Sequence, residues 1–85
     1  MNWQIFVASH AQKQLKWISA TDSDRIERAI DEMEQDPFRG DIKRMGGQEN
    51  SWRRRVGAYR IFWEIFDDQK LIRITDIRRR TSKTY

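Results

Sequence analysis

The segment that most constrains the fold is WRRRVGAYR, residues 52–60, in which a Gly-Ala step separates two runs of β-forming residues. If Gly57 and Ala58 form a two-residue turn, the flanking residues pair as an antiparallel hairpin with Arg55 opposite Arg60. Side chains alternate between the two faces of a strand. One face of the hairpin then carries Trp52, Val56, Tyr59, Ile61, Trp63 and Ile65. The segment therefore predicts a hairpin with one apolar face and one strongly basic face.

The basic face collects guanidinium groups from several predicted strands. The hairpin register places on it Arg53, Arg55, Arg60 and Phe62. The same alternation, carried through a turn at Asp68-Gln69, adds Arg73, Thr75, Ile77 and Arg79. One interpretation is a solvated basic face partly neutralised by Glu64, which lies opposite Arg73. The convergence of arginines favours a second interpretation, a phosphodiester-binding site, because guanidinium groups bind phosphates bidentately.

Arg54 and the basic end of the chain are interpreted separately from this phosphodiester-binding face. Arg54 points to the apolar side, near Asp76, which predicts a structural role. The last residues are either a frayed basic tail or an extension of the nucleic-acid surface, with Tyr85 as a stacking platform for a base or an acid/base residue. The predicted nucleic-acid-binding set is Arg53, Arg55, Arg60, Phe62, Arg73, Arg78, Arg79 and Arg80.

The remainder of the chain completes an α+β pattern. Residues 3–7 alternate as a first strand, Ser9 is a candidate cap for a first helix, and residues 21–23 offer a cap for a second helix that ends before Pro37. Residues 36–50 are rich in glycine and predict an irregular connection. Three strands follow, at 51–56, 59–66 and 71–77, and their short connections predict an antiparallel meander. We expect a single domain, residues 1–85, with a helical hairpin packed on one sheet face.

Composition excludes several classes of site and location. The chain of 85 residues has no cysteine, so it has neither disulfides nor thiolate metal sites. His10 is its single histidine, which predicts a solvated residue in a helical first turn and chemistry carried by other groups. No apolar run approaches the ~20 residues that cross a bilayer. We expect a cytoplasmic protein whose net charge of +4, concentrated in the C-terminal half, attracts a polyanion.

The order of these segments also resembles a known family. A strand, a helical hairpin, the IKRMGG step, WRRRVGAYRIFWEI and ITDIRRRTSKTY are together similar to the RelE/ParE superfamily of toxins from toxin-antitoxin systems. The resemblance covers essentially the whole chain and implies a RelE-like fold. Its RelE branch implies a ribosome-dependent endoribonuclease that cuts mRNA through attack of a 2′-hydroxyl on its own phosphate, without a metal or other cofactor.

The resemblance also assigns candidate catalytic residues. Arg53 and Arg55 stand where the RelE branch usually has lysines, and Arg60, Arg79 and Tyr85 stand at its arginines and its tyrosine. Arginine is a poor proton carrier because its pKa lies above ~12. This departure favours Tyr85 as the base and allows for a slow enzyme.

The resemblance leaves alternatives open. ParE-type members act on DNA gyrase, so the second hypothesis is a gyrase inhibitor on the same fold. The third is a toxin-derived RNA-binding protein without activity. For the first hypothesis the implied partners are a cognate antitoxin, the ribosome and mRNA, with operator DNA reached only through the antitoxin, and no membrane.

Overall fold

The computed structural model describes residues 2–46 and 50–79. The elements in chain order are β1 (Gln4–Val7), α1 (Ser9–Lys16), α2 (Ala20–Met33), β2 (Asp41–Arg44), β3 (Ser51–Val56), β4 (Tyr59–Phe66) and β5 (Leu71–Arg79). The strands form one sheet in the order β1-β5-β4-β3-β2, in which β1 runs parallel to β5 and the other pairs are antiparallel. The predicted α+β class and the meander of the last three strands are confirmed.

The hairpin between β3 and β4 has the predicted register. Arg55 pairs with Arg60, and Trp52 pairs with Trp63. Gly57 opens the two-residue turn with φ +57°, a left-handed conformation that glycine adopts without steric cost.

The two helices begin at caps other than those predicted. The residue that precedes α1 is Ala8, whose side chain makes no cap, so Ser9 is already helical. Ser19 caps α2 by accepting a hydrogen bond of 3.4 Å from the Asp22 backbone N–H. The end of α2 at Met33, before Pro37, is as predicted. Neither helix is long and apolar enough to span a membrane.

Both helices pack on one face of the sheet and enclose the core. Their contribution is an apolar stripe of Ala11, Ile26, Ala29, Ile30 and Met33. From the strands, the same cluster receives Ile61, Trp63, Ile65, Ile72, Ile74 and Ile77. No helix of the described residues covers the second face of the sheet, and we refer to it as the open face.

The segment predicted to be irregular contains an additional edge strand, so that part of the prediction is wrong. Strand β2 is short and polar, with the sequence DIKR, and lacks the apolar alternation that marks a strand. Its conformation comes from pairing with β3, in which Asp41 lies opposite Arg55 and Lys43 opposite Arg53. A partner strand, rather than local propensity, therefore makes this segment extended.

A β-bulge in β5 changes which residues reach the open face. Trp63 pairs with Ile74, but the preceding residue of β4, Phe62, pairs with Asp76. Thr75 is therefore left as the extra residue. The Thr75 hydroxyl donates a hydrogen bond of 3.2 Å to the Phe62 carbonyl. Because one extra residue reverses the alternation beyond it, Asp76 and Arg78 replace the residues predicted there.

Candidate functional site

Three arginines lie side by side across the open face. Arg55 in β3 is opposite Arg60 in β4, and Arg60 is opposite Arg78 in β5. Directly opposite residues of antiparallel strands lie on the same face with their Cα atoms ~5 Å apart. We call these three residues the arginine row. Arg53, two positions from Arg55, lies on the same face beside it.

The counterions of the arginine row leave its centre unneutralised. At one end, Arg55 Nε lies 3.7 Å from Asp41 Oδ2. At the other end, Arg78 Nε donates a hydrogen bond of 2.7 Å to Asp76 Oδ2. Within residues 2–46 and 50–79, Arg60 makes no ion pair. The middle of the row is therefore a concentrated positive charge.

Several guanidinium N–H groups on the open face are buried without a hydrogen-bond partner in the described part of the chain. They are Nη1 of Arg53, Nε of Arg55 and Nε of Arg60. A buried donor that stays unpaired costs about 1 to 3 kcal/mol, so such groups are rare unless a ligand satisfies them. An oxyanion with several acceptor oxygens, such as a phosphate, matches both the charge and the unpaired donors.

Because of the bulge, Ile77 and Arg79 do not lie on the open face, where they were predicted. Ile77 is 3% exposed within the core, so its predicted place on the open face is wrong. Arg79 pairs with Tyr59, which packs against the core, so it projects to the helical side rather than beside Arg60. Its neighbour Arg78 takes the place in the row that was predicted for Arg79.

Arg73 lies on the open face away from the row. It pairs with Glu64, as predicted, and its Nη1 lies 3.6 Å from Glu64 Oε1. Its charge is thus partly balanced, in contrast to that of Arg60.

Phe62 provides an apolar surface next to the arginine row. The Arg78 guanidinium carbon lies 5.4 Å from the centre of the Phe62 ring, a cation-π contact. A depression of about 290 Å³ adjoins the ring. It is lined by Met45, Gly46, Ser51, Trp52, Phe62, Trp63, Glu64, Thr75 and Asp76. Charge for a phosphate and an aromatic surface for a base therefore lie side by side.

Asp76 is a site residue that the sequence analysis missed. Besides Arg78, its carboxylate accepts a hydrogen bond of 2.6 Å from Gln14 Nε2 and lies 3.4 Å from His10 Nε2. Burial raises the pKa of the Asp76 carboxyl, but the hydrogen bonds from Gln14 and Arg78 outweigh this effect, so the pKa lies below its usual value. The residue is therefore an anion that holds groups from α1 and β5 together.

Gln14 explains why α1 sits beside this carboxylate. Its side-chain oxygen accepts a hydrogen bond of 2.6 Å from the Ile77 backbone N–H, where β5 extends past the end of β1. The side chain thus replaces a missing strand neighbour and fixes α1 beside this unpaired edge of β5. No pattern along the chain signals this contact, because 62 residues separate Gln14 from Asp76.

Arg54 belongs to the core side, as predicted, but its predicted partner is wrong. Its Nη2 donates a hydrogen bond of 2.7 Å to Glu32 Oε1, and its Nη1 donates one of 3.1 Å to the Ala29 carbonyl. Asp76 lies on the opposite face of the sheet. Arg54 therefore fastens helix α2 to strand β3.

Two predicted site residues, Arg80 and Tyr85, lie outside the described residues. Within the described ranges, no group of three or more His, Asp or Glu side chains is placed to hold a metal ion.

A comparison with protein families identifies a match over nearly the whole chain. Residues 5–83 match the family described as the ParE toxin of the type II toxin-antitoxin system parDE. No match was found among curated protein sequences.

Solved structures of toxins have the same fold. The archaeal RelE-RelB complex from Pyrococcus horikoshii contains a chain that superposes with a TM-score of 0.85 at 20% identity, covering 98% of this chain and 100% of the other. The isolated E. coli RelE toxin gives a TM-score of 0.82 at 11% identity, with coverage of 95% and 87%. The RelB-RelE antitoxin-toxin complex from Methanococcus jannaschii gives 0.75 at 28% identity, with coverage of 88% and 89%.

Proposed function

The chain belongs to the RelE/ParE superfamily of type II toxins, through the ParE toxin family that it matches, and we propose that it is a ribosome-dependent mRNA endoribonuclease. The family match by itself does not favour cleavage of RNA over inhibition of a protein target. The choice rests on the open face.

The observation that carries this proposal is the arginine row with its unpaired donors. Arg60 has no counterion among the described residues, and its Nε is buried without a partner, as is Nη1 of the adjacent Arg53. A surface that contacts only protein has no evident need for this arrangement. An RNA phosphate satisfies it, because each guanidinium offers parallel N–H groups to two oxygens.

The proposed reaction is attack of a 2′-hydroxyl oxygen on the neighbouring phosphorus. An O2′–P bond forms, the P–O5′ bond breaks, and the products are a 2′,3′-cyclic phosphate and a 5′-hydroxyl. Negative charge develops on the phosphorane oxygens, where Arg60 and Arg78 stabilise it. Proton transfers must accompany the reaction, and arginines perform them poorly. The family resemblance points to Tyr85 for removal of the 2′-hydroxyl proton.

The ribosome supplies what the open face lacks. The arginine row is broad and open, so by itself it binds RNA backbone without imposing the in-line geometry that the attack requires. We propose that mRNA held in the decoding site presents one linkage in that geometry. Cleavage is then confined to translated RNA in the cytoplasm.

A cognate antitoxin is the proposed protein partner, since two of the similar structures are complexes of RelE with RelB. The chain carries a net charge of +4, so we expect acidic segments of the antitoxin to cover the arginine row and block RNA. Trp17, which is 88% exposed at the end of α1, offers apolar surface to the same partner. Binding that weakens as salt rises supports the electrostatic part of this proposal, and salt-independent affinity opposes it.

A ParE-type gyrase inhibitor is the second candidate, and the family match favours it. The observation that Arg79 projects away from the row also weakens the likeness to the RelE set of site residues. A third outcome, RNA binding without cleavage, requires only the charge of the open face.

Primer extension on mRNA from translating cells, with and without the induced protein, distinguishes these functions. The proposed endoribonuclease produces new 5′ ends within translated regions and arrests translation. A gyrase inhibitor leaves mRNA intact and causes DNA damage and filamentation. Intact mRNA without either phenotype indicates the RNA-binding protein without activity.

A further inference from the structure

We propose that His10 is the general acid of the cleavage reaction and that Asp76 positions it. This inference rests on the proposed endoribonuclease function and names a catalytic residue for it. His10 was expected to be a solvated residue without a catalytic partner, because the chain has no second histidine. The fold supplies a carboxylate partner from β5 instead.

His10 and Asp76 lie close together, with the imidazole still open to a ligand. His10 Nε2 lies 3.4 Å from Asp76 Oδ1, and the His10 side chain is 68% exposed, whereas that of Asp76 is 16% exposed. One edge of the imidazole thus faces a partly buried carboxylate, and the ring remains accessible to a ligand. A carboxylate close to one ring nitrogen attracts the imidazolium, orients the ring and leaves the other nitrogen, Nδ1, for proton transfer.

The Asp76 carboxylate is held in a fixed position. Gln14 holds its Oδ1 at 2.6 Å, and Arg78 holds its Oδ2 at 2.7 Å. Gln14 itself is fixed by the Ile77 backbone N–H. Because both carboxylate oxygens are held, the group that meets the imidazole has a defined position, which acid catalysis requires.

Asp76 connects His10 to the arginine row. The same carboxylate contacts His10 on one side and Arg78, a member of the arginine row, on the other. Asp76 also lines the depression beside Phe62. The proposal places the departing 5′-oxygen of a phosphate bound by Arg60 and Arg78 on the His10 side of this carboxylate.

As the general acid, His10 gives up one proton in the cleavage step. The imidazolium carries hydrogens on both nitrogens, and its Nε2 lies beside Asp76. As the P–O5′ bond breaks, Nδ1–H passes its proton to the departing 5′-oxygen, and the neutral ring stays in contact with Asp76. The 2′-hydroxyl proton leaves to Tyr85 or to solvent.

A substrate that needs no acid tests this role directly. At the mapped cleavage site, the bridging 5′-oxygen of the mRNA is replaced by sulfur. A thiol ionises with a pKa of ~8.5, so the 5′-thiolate leaves without receiving a proton. Single-turnover cleavage on a stalled ribosome is then measured for ordinary and sulfur-linked RNA with the wild type, His10→Asn, Asp76→Asn and Lys13→Gln, each checked by a melting curve.

We expect His10→Asn to cleave ordinary RNA ~100-fold or more slowly than the wild type and sulfur-linked RNA at nearly the wild-type rate. Asp76→Asn shows a smaller loss with the same recovery, because its effect acts through the imidazole. Lys13→Gln, an exposed change on the same helix, matches the wild type on both substrates.

Two results overturn the acid role and leave the proposed function intact. One is wild-type cleavage of ordinary RNA by folded His10→Asn. The other is an equal loss on both substrates, which indicates a binding or structural contribution. A wild-type protein that cleaves neither substrate overturns the proposed function, and the acid role with it.

Discussion

Arg60 lies directly opposite Arg78 in the ladder between β4 and β5, and it lies opposite Arg55 in the ladder on its other side. Like charges in directly opposite positions destabilise a sheet. Both ends of this row have a carboxylate, from Asp41 and Asp76, and the central Arg60 has none within the described residues. Arg60 is therefore the residue most in need of an anionic ligand.

Replacing Arg60 tests the proposed phosphate site. We expect Arg60→Ala to slow single-turnover mRNA cleavage ~100-fold or more, because it removes a preorganised donor from the phosphorane oxygens. The melting temperature stays the same or rises, since the like-charge contacts disappear. Arg28→Ala is the matched control, because Arg28 is exposed on α2 and paired with Asp24. Equal rates for Arg60→Ala and the control would remove the basis for the proposed function.

The bulge predicts a difference between two adjacent arginines. Arg78→Ala is expected to reduce cleavage more than Arg79→Ala, because Arg78 belongs to the arginine row and Arg79 pairs with Tyr59 on the other face. The same assay measures both. A larger effect of Arg79→Ala would show that the end of β5 changes its register when RNA binds, and would restore the role that the family resemblance assigns to Arg79.

Arg54 is expected to affect stability rather than chemistry. Its side chain is 11% exposed, and Arg54→Ala removes the hydrogen bonds to Glu32 and to the Ala29 carbonyl and opens a gap against α2. We expect the free energy of unfolding to fall by about 2 to 4 kcal/mol, as measured by urea denaturation. Arg55→Ala, a change in the next residue on the open face, provides the comparison and leaves stability unchanged or slightly higher. Comparable losses in both variants would contradict the face assignment.

The contact between Glu32 and Arg54 predicts a pH dependence of stability. The hydrogen bond and charge of Arg54 lower the pKa of the Glu32 carboxyl from its usual value of 4.5. Because the folded-state pKa of Glu32 is lowered, its contact with Arg54 contributes fully to the free energy of unfolding above pH 4.5. This contribution is lost as pH falls through the folded-state pKa.

Urea unfolding of the wild type and Glu32→Gln between pH 3 and pH 7 measures this effect. We expect the difference in free energy of unfolding between the wild type and Glu32→Gln to shrink as pH falls. Because the Asp76 pKa is also lowered, the wild type minus variant difference, rather than either curve, is the quantity to compare. A difference that stays constant over the whole range would contradict the ionic contact.

Gly40 is expected to tolerate no side chain. It has φ +93°, and a Cβ built there lies 2.7 Å from Arg54 Nε. We expect Gly40→Ala to lower the free energy of unfolding by about 2 kcal/mol through backbone strain and displacement of the buried guanidinium. Gly46 provides the control, because no atom lies within 4 Å of a Cβ built at that position. Equal stability of the two alanine variants would show that the Arg54 guanidinium moves aside freely.

The hairpin could be predicted from the sequence because its information is local. Gly57 and Ala58 leave room for only two turn residues, and the alternation of apolar and basic side chains then determines the faces of β3 and β4. The positions of Arg53, Arg55 and Arg60 on one face follow from that pattern, and the register confirms them.

The remaining features depend on contacts between distant segments. Strand β2 is extended because β3 pairs with it, and its four polar residues carry no pattern of their own. The bulge at Thr75 was not apparent, because ITDIRRR shows no break in composition where the register shifts. The partnership of His10 with Asp76 requires α1 to lie beside the end of β5, which only the assembled sheet determines.

Because of the extra residue at Thr75, an insertion or deletion at the end of β5 has an effect that a substitution does not have. Gain or loss of a single codon at the bulge exchanges which arginine of the Arg78–Arg79 pair reaches the open face, while the composition of the segment stays almost the same. Two homologues with nearly identical C-terminal sequences can therefore display opposite arginines to a ligand. Drift between target classes on this scaffold can begin with an insertion or deletion rather than with a change of amino acid.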